Sequence, residues 1–125
     1  MIKTIIVDDE FNASEFLEKL LLRYFPDKFL VLEKCESVDD AILAIEKFNP
    51  ELVFLDVQMP NKNGFQLLKE LKTINFEVIF TTAHSEFAID AIKCSALDYL
   101  LKPINYIDLL ETVKKYDEKL NNASQ

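Results

Sequence analysis

Leu52-Val53-Phe54-Leu55-Asp56 is the stretch that decides the fold. Its four consecutive apolar residues cannot alternate between a wet and a dry face, so it reads as a strand buried on both sides. Such strands belong to parallel sheets covered by helices. A carboxylate, Asp56, closes the run. Open parallel sheets bind their ligands outside the carboxyl ends of the strands, near the switch in strand order.

The same alternation extends in both directions. Upstream, Val38, Ala41, Ile42, Ile45 and Phe48 recur at helical spacing, after a capping-box-like Ser37 and Asp40 and before a stop at Asn49-Pro50. Phe29 to Cys35 reads as a strand that turns polar at Glu33 and Lys34, as an edge strand does. Pro26 and Asp27 stop an earlier helix whose stripe is Ala13, Phe16, Leu17, Leu20, Leu21 and Tyr24, and Ile2 to Val7 opens the chain as a strand. Downstream, Leu67, Leu68 and Leu71 mark a short helix, and Val78 to Thr82 a fourth strand, buried on both faces. Ser85 is placed to cap a helix carrying Ala88, Ala91 and Ile92, and Asp98 to Leu101 is a short fifth strand. Asn105 is placed to cap a last helix with Leu109, Leu110, Val113, Tyr116 and Leu120 on one face. Strict alternation predicts a doubly wound α/β domain, a parallel sheet with helices on both faces and right-handed crossovers.

Composition bounds the function. A chain of 125 residues suits one domain, and one this size buries about two-thirds of its unfolded surface. No run reaches the ~18 apolar residues of a membrane span. The start meets Asp8 and Asp9 too early for a secretory signal, and Cys35 and Cys94 are too few for a disulfide scaffold, so a cytoplasmic setting is expected. A net charge of −8 makes the chain itself a poor ligand for nucleic acid. The single glycine, Gly64, excludes both the G-x-G-x-x-G fingerprint and a P-loop.

The polar residues gather at the strand ends. The first strand ends in Asp8-Asp9-Glu10, the third in Asp56, the fourth in Thr81-Thr82, and the fifth runs into Lys102-Pro103. Three carboxylates from the ends of two strands, Asp8, Asp9 and Asp56, repel at one rim, and the remedies are a retained proton or a bound cation. Oxygen donors without His or Cys select a hard ion such as Mg²⁺, which favours few carboxylates, several waters and a phosphate. Lys102 and Thr82 suit the oxygens of a phosphoryl group. Asp56 is then a metal ligand or a nucleophile that forms an acyl phosphate. Each piece has a bland reading: an Asp as helix cap, Lys102-Pro103 as a turn, Thr82 as a strand residue. The joint arrangement outweighs them.

Over roughly Ile2 to Lys119 the sequence resembles the response-regulator receiver domains of two-component systems. The resemblance rests on Val7-Asp8-Asp9-Glu10, on Leu55-Asp56-Val57-Gln58-Met59-Pro60 with Gly64 following, on Thr82-Ala83, and on Tyr99-Leu100-Leu101-Lys102-Pro103. It implies a (βα)5 sandwich with strand order 2-1-3-4-5 and a receiver domain spanning residues 1–120. It implies that Asp56 accepts a phosphoryl group from the phosphohistidine of a sensor kinase. Mg²⁺ would be held by Asp9, Asp56 and the backbone carbonyl of Gln58, with Asp8 acting through water. Lys102 would pair with Asp56 and then with the phosphoryl group, Thr82 would hydrogen-bond it, and Tyr99 would turn inward as Thr82 moves. The Lys102-Pro103 bond is a candidate cis peptide, and Gly64 is expected at a turn with φ > 0. Gln58 and His84 occupy the variable positions beside the phosphoryl group and are expected to tune hydrolysis. The output surface is expected on the fourth helix, fifth strand and last helix, near Phe87, Ile89, Tyr106 and Ile107, where a homodimer face is also expected.

The segments Phe80 to Ile89 and Ala96 to Ile104 are similar to receivers of the LytR/AlgR type, which usually precede a LytTR DNA-binding domain. The expectation is a receiver excised from such a regulator, with a stand-alone receiver as the alternative, touching DNA only through that absent C-terminal domain. Residues 121–125 would be a frayed tail or the start of a linker. Two enzyme-like alternatives fit less well. An aspartyl phosphatase lacks its second Asp in Asp56-Val57-Gln58, and a flavodoxin-like cofactor binder gives no reason for Lys102 beside carboxylates. An interaction-only receiver is the third alternative.

Overall fold

The computed structural model describes residues 1–123. In chain order the elements are β1 (Ile2–Val7), α1 (Phe11–Tyr24), β2 (Phe29–Cys35), α2 (Val38–Phe48), β3 (Leu52–Asp56), α3 (Gly64–Glu70), β4 (Glu77–Thr82), a 3-10 turn (Ser85–Phe87), α4 (Ala88–Lys93), β5 (Asp98–Leu101) and α5 (Tyr106–Ala123). The five strands form one sheet in the order β2-β1-β3-β4-β5, all pairs parallel. The order reverses direction between β1 and β3, where a parallel sheet opens a crevice at its carboxyl edge.

The period-2 geometry of a strand divides the core in two. Val53, Leu55, Val78 and Phe80 face one cluster with Val38, Ala41, Leu67, Leu68 and Ala91, contributed by α2, α3 and α4. Leu52, Phe54 and Ile79 face the other, with Leu17 and Leu21 of α1 and Leu109, Val113 and Tyr116 of α5. Every residue of β3 is buried, which is why its apolar residues run on without alternation.

Local signals hold the helices in place. Ser37 caps α2 by accepting the Asp40 N–H at 3.1 Å, and Asn105 accepts the Asp108 N–H at 2.9 Å at the start of α5. Asn63 and Gln66 form a reciprocal capping box on α3. Two expectations fail. Ser85 caps nothing: the chain enters α4 through a 3-10 turn in which Ser85 is the first residue and no side chain caps. Ile92 is 71% exposed, because a helix of six residues turns only a narrow face, centred on Ala91, to the sheet. The helix α5 includes residues 121–123; Ser124 and Gln125 lie outside the described residues. Among the described residues no helix is long and apolar enough to cross a membrane.

Candidate functional site at the carboxyl rim

Asp8 follows the last residue of β1, Asp56 is the last residue of β3 and Thr82 the last of β4. Parallel pairing brings these ends to one edge, with Asp56 opposite Thr81 and Thr82 opposite Leu101. Lys102 directly follows β5, and its N–H donates to the Thr82 carbonyl at 2.8 Å. The Lys102-Pro103 bond is cis.

Asp8, Asp9 and Asp56 each offer a carboxylate oxygen within 4.8 Å of the other two. The Lys102 ammonium donates to Asp8 Oδ2 at 2.7 Å and to Asp56 Oδ2 at 3.3 Å. The lysine thus lies closer to Asp8, so its pairing is shared and not exclusive to Asp56. The other Asp8 oxygen accepts the Glu10 N–H at 2.9 Å, and Asp56 Oδ1 accepts the Gln58 N–H at 3.3 Å. Asp8 and Asp56 are buried, whereas Asp9 is half-buried.

Burial dominates the electrostatics of Asp56. It pushes the carboxyl up to about 7; Lys102 opposes that rise, and the Asp8 charge adds to it. Burial acts the other way on Lys102, but bonds to Asp8 and Asp56 prevail and hold the ammonium above its ordinary range. One ammonium therefore leaves three carboxylates incompletely neutralised. The donors are all oxygens, with neither His nor Cys in the cluster, a set that fits a hard divalent cation such as Mg²⁺.

Thr82 is buried, and its Oγ1 accepts the His84 N–H at 3.0 Å. Gln58 and His84 are both exposed, on the two loops that flank Asp56 and Thr82. His84 Nδ1 lies 3.6 Å from Glu86 Oε1. Tyr99 is half-buried on β5, paired with Phe80 and packed on the α2–α4 side of the core. Beside the rim, Ala13, Phe16, Leu17 and Ile104 line a mostly apolar groove of about 250 Å³ that opens onto Asp8 and Lys102.

Gly64 is present for a different reason from the one expected. No glycine has positive φ; Asn61, at φ 70°, takes the left-handed turn instead. Gly64 starts α3 with its N–H on the Val57 carbonyl, and a Cβ there would lie 2.4 Å from the Asp56 carbonyl oxygen. The missing side chain lets the helix approach the end of β3. Sequence reading also passed over Lys62, whose Nζ pairs with Asp39 and Glu70. A contact with a residue 23 positions away leaves no local signal.

Sheet order and rim chemistry together define a CheY-like α/β receiver. The chain belongs to the response regulator receiver domain family, whose model matches residues 4–114. It is 35% identical to the sensory transduction protein LytT of Bacillus anthracis over 95% of this chain and 48% of that protein. It is 40% identical to the positive alginate biosynthesis regulatory protein of Pseudomonas aeruginosa over 89% of this chain and 45% of that protein. The chain thus spans about half the length of these curated relatives. Among solved structures, the receiver domain of AraT from Geobacillus stearothermophilus superposes with a TM-score of 0.85 at 30% identity, covering 99% of this chain and 98% of that one. The response regulator TrrA from Thermotoga maritima, solved in complex with Mg(2+)-BeF, superposes with a TM-score of 0.78 at 30% identity over 92% and 98%.

Proposed function

We propose that this receiver takes a phosphoryl group from a sensor-kinase phosphohistidine onto Asp56 in a Mg²⁺-dependent reaction. The observation that carries this reading is the Asp56 carboxylate, buried at the end of β3 beside Asp8, Asp9 and the Lys102 ammonium. A carboxylate oxygen of Asp56 attacks phosphorus, the P–N bond breaks, and the imidazole leaves with the electron pair. Positioning and charge neutralisation suffice for this transfer, so the domain catalyses only its own phosphorylation and dephosphorylation. Asp9, Asp56 and the Gln58 carbonyl would hold Mg²⁺, with Asp8 acting through water. When bound, the ion supplies positive charge opposite the phosphoryl oxygens. Lys102 turns from the carboxylates to the transferred group, and the Thr82 hydroxyl, which donates to the His84 carbonyl at 3.4 Å, redirects that donation to it.

The added charge of about −1.5 to −2 then biases an existing two-state equilibrium. Tyr99, on β5 two positions before Leu101, the register partner of Thr82, follows inward and alters the α4-β5-α5 face. The similarity to LytT and to the alginate regulator supports a LytTR-type DNA-binding output, carried by a segment outside this chain, and a cytoplasmic setting. Gln58 and His84 flank the phosphoryl position and set how water reaches the acyl phosphate.

Incubation with acetyl phosphate and Mg²⁺ tests the reading. A base-labile adduct that maps to Asp56, needs Mg²⁺ and is absent from Asp56→Asn is expected, with a decay rate that changes in Gln58→Ala or His84→Ala. No adduct points to the interaction-only reading. Equal decay rates in both variants remove the role given to Gln58 and His84.

A further inference from the structure

Between Asp56 and α3 runs Val57-Gln58-Met59-Pro60-Asn61-Lys62-Asn63, whose one charged side chain is Lys62. Backbone bonds anchor its ends: Val57 N–H donates to the Thr81 carbonyl at 3.0 Å, and Gly64 N–H to the Val57 carbonyl at 2.9 Å. The middle turns back on itself, with Lys62 N–H on the Pro60 carbonyl at 2.8 Å and Asn61 at φ 70°. Asparagine adopts this left-handed conformation more readily than most residues, so Asn61 turns the loop without a glycine. The Lys62 ammonium reaches out of the loop in two directions. It lies 3.0 Å from Asp39 Oδ1 in the first turn of α2 and 2.9 Å from Glu70 Oε1 at the end of α3. One cation thus ties the loop to the two helices beside it.

We propose that Lys62 is a positioning residue for the Asp56 site, a strap that holds the loop carrying the Gln58 carbonyl in its binding conformation. This rests on the reading of that carbonyl, Asp9 and Asp56 as divalent-ion ligands. The sign of the effect separates the strap from simple electrostatics. Removing a cation near an acidic site strengthens divalent-ion binding through the field alone. Removing a strap weakens it, because the loop must then be ordered at the expense of binding. The pairs are exposed, so the loss is about two- to tenfold in affinity.

The test is a Mg²⁺ titration followed by the amide resonances of Gln58 and Met59, in wild type, Lys62→Met, Lys62→Arg, Asp39→Asn and the Lys62→Met/Asp39→Asn pair. Steady-state amide NOEs across residues 58–63 are read without metal. Lys62→Met is expected to weaken Mg²⁺ binding about two- to tenfold and to lower the loop NOEs in metal-free protein. Lys62→Arg should stay near wild type, and the double variant should bind no worse than Lys62→Met alone. Unchanged or tighter binding in Lys62→Met overturns the strap and leaves the Asp56 reading intact. Failure of wild type to bind Mg²⁺ overturns both.

Discussion

At Asp56, burial and charge pull against each other, and burial wins. The carboxyl is pushed from the ordinary value of 3.8 up to about 7. The folded state therefore holds this proton more tightly than the unfolded chain does. The resulting stabilisation is fully present below pH 4 and is lost as pH rises through about 7. Above that, metal-free protein carries a buried carboxylate that one lysine shared with Asp8 cannot fully compensate. Asp56→Asn is expected to stabilise the metal-free domain by about 1–3 kcal/mol at pH 8, and much less at pH 5. Denaturant unfolding of both proteins in EDTA at the two pH values reads this directly. A stability difference that does not change with pH would contradict it. The residue types at this rim were legible from their places at strand ends. The division of Lys102 between Asp8 and Asp56 was not, because it depends on distances across the sheet.

At the scale of elements, α3 illustrates how one missing side chain fixes the approach of a helix to a strand. Its first residue, Gly64, faces the Asp56 carbonyl at a separation that leaves no room for a Cβ. Gly64→Ala is expected to cost about 1–3 kcal/mol, the range for forcing extra atoms into a packed site. It should also slow adduct formation, since relief of the clash displaces the end of β3. An alanine variant as stable as wild type in urea would show that α3 can shift without cost. The strands and most helix stripes were legible because a period of 2 or 3.6 residues is a local property. The entry into α4 was not. Ser85 has the chemistry of a cap, but the Thr82–His84 turn directs the chain into a 3-10 turn instead.

For the whole molecule, exposed apolar residues lie on several elements, and one group of them spans α4, β5 and α5. α4, β5 and the start of α5 leave Ile89 66%, Ile92 71%, Leu101 39% and Ile107 68% exposed. Exposed apolar residues on three consecutive elements suit a surface that is covered in one signalling state. Sedimentation with Mg²⁺ and beryllofluoride is expected to show self-association that metal-free protein lacks and that Ile89→Asp abolishes. A monomer in both states would remove the homodimer face. The sequence by itself determined the α/β class, the alternation of elements and the set of residues at the rim. Those follow from hydrophobic period and from the restriction of polar residues to strand ends, both of which are local along the chain. Only the tertiary structure decided that Gly64 serves close packing, that Lys102 is shared and that Lys62 bridges α2 and α3. These depend on residues far apart in sequence meeting at distances that only the closed fold sets.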